Sequence, residues 1–130
     1  MILKFRAYFN KYKRMIYSVG LVNENSILVD FNGDGDLETI FLTNDISLMK
    51  STGLKDENGV DIYESDLVEY RDGEESFKGE VVINCFGTYV KTKNDYIRFE
   101  DFSDENTKIA GNCYVVGNIY EDQDREVKND

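Results

Sequence analysis

The chain has 130 residues, 41% hydrophobic and 13% aromatic, enough apolar material for one domain with a single core and too much for disorder throughout. It has no histidine and two cysteines, which excludes Ser-His and Cys-His nucleophile pairs and leaves too few ligands for a closed zinc site. The net charge of −11 is uneven: the first 14 residues hold Lys4, Arg6, Lys11, Lys13 and Arg14 with no acid, so a +5 segment precedes a −16 remainder.

The opening Met1-Ile2-Leu3-Lys4-Phe5-Arg6 is charged early and begins no apolar stretch long enough for a signal peptide or a membrane span, so a cytoplasmic protein is expected. Phe5, Ala7 and Phe9 then alternate with Lys4, Arg6 and Tyr8, which predicts a strand with one face in a core and a basic face turned to solvent or a partner. Asn10-Lys11-Tyr12-Lys13 reads as a turn, and Met15, Tyr17 and Val19 continue with the same period as the returning strand. Ile27, Val29 and Phe31 form the next strand; Asn32-Gly33-Asp34-Gly35 reverses the chain, and Leu37, Thr39 and Phe41 alternate on the way back. The segment 42–48 suits a short helix or a strand end.

Beyond it, Asp56-Glu57-Asn58-Gly59 is a turn, residues 67–71 a strand, Asp72-Gly73 a turn, and residues 80–85 a strand with Val81, Ile83 and Cys85 on one face. Residues 89–93 and 96–99 pair across Asn94-Asp95, residues 103–108 read as a loop or one helical turn, and residues 113–120 as a last apolar strand. Cys85 and Cys113 both lie in apolar strand-like runs and are expected to be unreactive core thiols. Residues 121–130 are acidic, nearly devoid of apolar side chains, and read as a disordered tail. Short strands, glycine turns and no long helical period predict a mostly β fold, either a partly open barrel or a pair of curved sheets. With no proline in the chain, outer strands must be charged, bulged or paired to another chain.

Three segments together resemble the YopX family of phage and prophage proteins: Lys4 to Phe9 (KFRAYF), Ser51 to Val68 (STGLKDENGVDIYESDLV) and Val116 to Glu121 (VGNIYE). The middle one is the specific part; where the family usually has glycine, this chain has Ser65. The resemblance implies an SH3-like β-barrel over about 51–120, preceded by N-terminal hairpins within 1–42, together one domain over 1–120. It also implies a temperate-phage context, hence the cytoplasm of a bacterial host, and no catalytic residues.

Two chemical motifs compete with plain turns. Asp30-Phe31-Asn32-Gly33-Asp34-Gly35 matches the first half of a calcium loop, but Phe41 stands where a bidentate glutamate is needed and the flanks are strands, so a solvated hairpin turn is the better reading. The pairs Asp34/Asp36, Asp56/Glu57 and Glu74/Glu75 suit acid–base chemistry in type, yet nothing singles one out. The leading expectation is a non-enzymatic phage accessory protein without a cofactor, acting by protein–protein contact with a host or phage protein and with copies of itself. The basic hairpin of one copy would then dock on the acidic body of the next. The candidate contact surface is Lys4, Arg6, Tyr8, Lys11, Lys13 and Arg14. A nucleic-acid module using that hairpin is the runner-up, and a divalent-metal hydrolase built on clustered carboxylates is third.

Overall fold

In the computed structural model, which describes residues 4–121, the alternating segments form antiparallel β-structure. The expected tail lies outside the described residues except for Glu121. The chain divides into two compact units, one up to Ser51 and one from Thr52 onward.

The first unit contains β1 (Phe5–Phe9), β2 (Arg14–Asn23), β3 (Ser26–Val29), β4 (Glu38–Phe41) and the first part of β5 (Ile46–Lys55). They lie in the order β4-β3-β2-β1-β5, so the segment 42–48 ends as a turn leading into a long strand. Its core is built from Ala7, Phe9, Ile16, Ile27 and Val29, with Val19, Ile40, Ile46 and Leu48 packed against them. β1 is flanked on both edges by β2 and β5, and all five of its side chains are buried.

Three expectations are corrected here. Arg6 and Tyr8 do not form an open basic face: Arg6 is only 2% exposed, its Nε donating to Met49 Sδ at 3.3 Å and its guanidinium lying 5.9 Å from the Tyr17 ring. A strand in mid-sheet can be covered on both faces, and the long arginine then reaches partners within its own unit. In β2 the inward residues are Ile16 and Val19, not Met15 and Tyr17. Ala7 faces Ile16 and Phe5 faces Val19, so β2 carries one extra residue, and this bulge changes the phase of the alternation. In β4 the core residue is Ile40, opposite Ile27, whereas Leu37 and Phe41 are exposed. The loop after β3 sets a register one residue away from the one the alternation suggested, and a one-residue slip exchanges the faces.

The second unit takes the end of β5 and adds β6 (Asp61–Tyr63), which lies beside it, followed by β7 (Asp66–Arg71), β8 (Ser76–Asn84), β9 (Gly87–Lys91), β10 (Tyr96–Arg98) and β11 (Cys113–Asn118). A 3-10 turn at Phe99–Asp101 follows β10. The last five strands form an open sheet in the order β10-β9-β8-β7-β11. Its inner face packs Val68, Val81, Val90 and Cys113 against Ile62, Phe99 and Ala110. The result is mostly β, as expected, with sheets that stay open.

The turn between β6 and β7 shows why glycine suits position 65. Ser65 has φ +73°, a left-handed conformation that crowds any Cβ. It is held there because its N–H donates to the Val81 carbonyl at 2.9 Å, its carbonyl accepts from Ile119 N–H at 3.1 Å, and Asp66 Oδ2 accepts Tyr63 N–H at 2.7 Å. Ser65→Gly is therefore expected to stabilise the protein by about 0.5–1 kcal/mol, relief of strain exceeding the added entropy of the unfolded chain. Urea melts of both proteins check this, and a destabilised variant would show that the conformation is not strained.

Candidate functional site

The structure separates the residues of the basic N-terminal segment. Lys4 is exposed, Arg6 and Tyr8 are buried in β1, and Lys11, Lys13 and Arg14 are exposed at the β1–β2 turn. That turn is fastened by Asp45, whose carbonyl accepts Asn10 N–H at 2.9 Å and whose Oδ2 accepts Lys11 N–H at 3.3 Å. The Arg14 guanidinium donates to the Phe31 carbonyl. Beside it is a cleft of about 280 Å³ lined by Phe9, Tyr12, Arg14, Phe31 and Glu38, with the Phe9 and Phe31 ring centroids 5.2 Å apart.

The carboxylates singled out in the sequence bind backbone. Asp30 accepts N–H groups from Gly33 at 2.7 Å, Asp34 at 3.2 Å and Gly35 at 3.1 Å, so both oxygens face the loop's own amides. Asp34 accepts from Asp36 N–H at 3.0 Å, and Asp72 caps the next turn through Glu74 and Glu75 N–H at 3.1 and 2.7 Å. Asp56 is 1% exposed. Its Oδ1 accepts Asn58 and Val60 N–H, each at 2.9 Å, and its Oδ2 accepts Val115 N–H of β11 at 2.9 Å. Glu57 Oε1 accepts Asn112 N–H at 3.0 Å. Among the described residues, no three histidine, cysteine, aspartate or glutamate side chains are grouped to hold a metal ion.

The two cysteines part company. Cys113 is fully buried in β11, where burial, aided by the nearby Asp56 charge, pushes its thiol up to about 12. Cys85, expected in the core, is exposed instead, because β8 ends at Asn84 and Cys85 falls in the turn to β9.

One surface that reading the basic segment missed lies on the outer face of the second unit's sheet. Register places Tyr96 opposite Lys91 and Arg98 opposite Tyr89, so these four share a face, while Val90 and Ile97 point the other way. The Tyr89 and Tyr96 rings are 6.2 Å apart and perpendicular, and the Arg98 guanidinium lies 5.9 Å from the Tyr89 ring. The signal was present as Tyr-x-Lys and Tyr-x-Arg around a turn, two residues apart and thus on one face of each strand.

Two outcomes follow from this geometry. With a thiol reagent at about pH 8, Cys85 is expected to react within seconds to minutes, and Cys113 only on unfolding, since a thiol raised to about 12 is almost wholly protonated there; rapid labelling of both in the native protein would refute the assignment. Asp56→Ala removes the acceptor of three part-buried hydrogen bonds and is expected to cost about 3 kcal/mol in urea melts. A loss below about 1 kcal/mol would show that water replaces the carboxylate.

Comparison with known proteins gives the same architecture. No curated protein matches the chain. A crystal structure of protein EF1440 from Enterococcus faecalis superposes with a TM-score of 0.64 at 23% identity, covering 96% of this chain and 98% of that one, a likeness of fold. The family described as YopX protein matches residues 4–125, nearly the whole length. The chain belongs to the YopX family.

Proposed function

We propose that this protein is a phage or prophage accessory protein of the cytoplasm that acts by protein–protein contact, without catalysis, and assembles with copies of itself through β4. The phage setting rests on the family resemblance. The assembly rests on one observation: the exposed large apolar side chains concentrate in the first unit, two of them at its edge strand. Tyr12, Tyr17, Leu21, Val22, Leu37 and Phe41 are six of the ten among the described residues, and Phe41, at 74%, and Leu37, at 60%, flank β4.

β4 pairs with β3 on one side and ends the sheet on the other, so its outer N–H and C=O groups have no strand beside them. Thr39 lies opposite Leu28 and Phe41 opposite Ser26, which puts the Phe41 ring on the sheet face away from Ile27 and Ile40. Pairing β4 with the β4 of a second copy about a two-fold axis satisfies those groups and covers both Phe41 rings with one self-complementary contact. The basic turn at Lys11, Lys13 and Arg14 would tune such contacts electrostatically rather than supply their affinity.

Light-scattering chromatography is the test. The wild type is expected at a multiple of 15.0 kDa, and Leu37→Lys/Phe41→Lys, which alters only exposed positions, at the monomer mass. A wild type that stays monomeric at high micromolar concentration and moderate salt overturns the proposal.

A further inference from the structure

The second unit, from Thr52 on, holds nine basic and twenty acidic residues, a net −11. One stretch runs against that balance. Residues 80–100 contain Lys91, Lys93 and Arg98 against Glu80, Asp95 and Glu100, a net charge of zero within the acidic unit. Lys91 and Arg98 stand on the same sheet face as Tyr89 and Tyr96, and Lys93 is exposed in the turn between the two strands. Tyr96 is 55% exposed, and Phe86, at the neighbouring β8–β9 turn, is 77% exposed.

We infer that the outer face of β9 and β10 is a binding surface for single-stranded nucleic acid, with Tyr89 and Tyr96 stacking on bases and Lys91, Lys93 and Arg98 contacting phosphates. A sheet face that carries aromatic side chains on two adjacent strands suits unstacked bases, which present π-faces whatever their sequence. Duplex fits poorly, since β9 and β10 lie within a five-stranded sheet and cannot enter a groove as a free two-stranded ribbon. Among the described residues Lys91 and Lys93 make no ion pair; Glu80 stands opposite Lys91 on the same face, so phosphate contact there competes with one neighbouring carboxylate and at Lys93 with none. Arg98 pairs with Glu100 at 2.9 Å, but both side chains are over half exposed, and such a pair yields readily to a phosphate. The hairpin is held for this role by Thr92, whose N–H donates to the Asp95 carbonyl at 2.8 Å and whose Oγ1 accepts Asp95 N–H at 3.0 Å. The surrounding acidity limits the footprint to this face, repelling strands that stray from it.

The test is fluorescence anisotropy of the full chain with labelled oligothymidylate and oligouridylate about twelve nucleotides long, beginning at about 50 mM salt. Binding is expected to weaken with salt with a log–log slope near −2, from about 0.7 per phosphate contacted. Tyr96→Ala is expected to weaken binding about tenfold, with Tyr96→Phe retaining it. Lys91→Glu/Lys93→Glu should flatten the salt slope by about one or more, whereas Lys108→Glu, at an exposed position away from this face, should leave affinity and slope unchanged. Similar results with both oligonucleotides or a preference for one support the inference equally, the preference naming the sugar. Three results overturn it: no binding by the wild type, equal loss in the Lys108 variant, or displacement by polyglutamate as effective as by unlabelled oligonucleotide, which would mark a site for an acidic protein.

Discussion

The buried carboxylate of Asp56 is the constraint around which the second unit is arranged. Its two oxygens take three backbone N–H groups, two from the turn after β5 and one from Val115 in β11, so one side chain joins segments 59 residues apart. β11 bulges between Val115 and Gly117, where it cannot keep the regular ladder with β7, and Asp56 receives the amide left beside that irregularity. Neighbouring bonds continue the seam: Glu57 N–H to the Cys113 carbonyl at 2.9 Å, Ala110 N–H to the Lys55 carbonyl at 2.8 Å, and Asn112 N–H to Glu57 Oε1 at 3.0 Å. A charged acceptor in such a dry place is tolerated because every bond it makes is charge-assisted.

That seam also answers the question raised by a sheet protein without proline. β11 stands at one end of its sheet, and residues 55–57 cover its outer edge with backbone and side-chain bonds. At the other end, β10 is only three residues long and carries exposed Tyr96 and Arg98 on either side of Ile97. In the first unit β4 has no comparable cover among the described residues. Edge protection is thus uneven, and the proposed self-contact falls on the edge at β4.

Much of the acidity is structural. Asp30, Asp56, Asp72 and Asp104 each accept backbone N–H groups in turns. Aspartate favours this role because its short side chain reaches amides two to five residues onward, which stabilises tight reversals between short strands. In Asp72 and Asp104 these bonds hold the carboxyl below its ordinary range. The first unit, up to Ser51, is electrically balanced, with six acids and six bases. The +5 opening segment therefore stands in a neutral unit, with Arg6 withdrawn from its surface.

Local pattern was enough to determine the mostly β class, most of the strands, the turns at Asn10, Asp56, Asp72 and Asn94, the Asp30 loop as a turn and the family, because period-two alternation and turn-forming residues act over a few positions. Even the preference for glycine at position 65 was legible, as a departure from the family pattern, and φ +73° supplies its cause. What tertiary structure alone decided is which face is inside. The bulge in β2, the register of β4 and the end of β8 each turn on pairing with a distant strand, and each moved a side chain: Ile16 in, Phe41 out, Cys85 out. The basic segment shows the same limit. Alternation alone cannot say whether a strand will be a sheet edge or its middle, and β1, flanked by β2 and β5, buries Arg6 and Tyr8, while the Tyr89, Lys91, Tyr96 and Arg98 face depends on a cross-strand register that no single strand specifies.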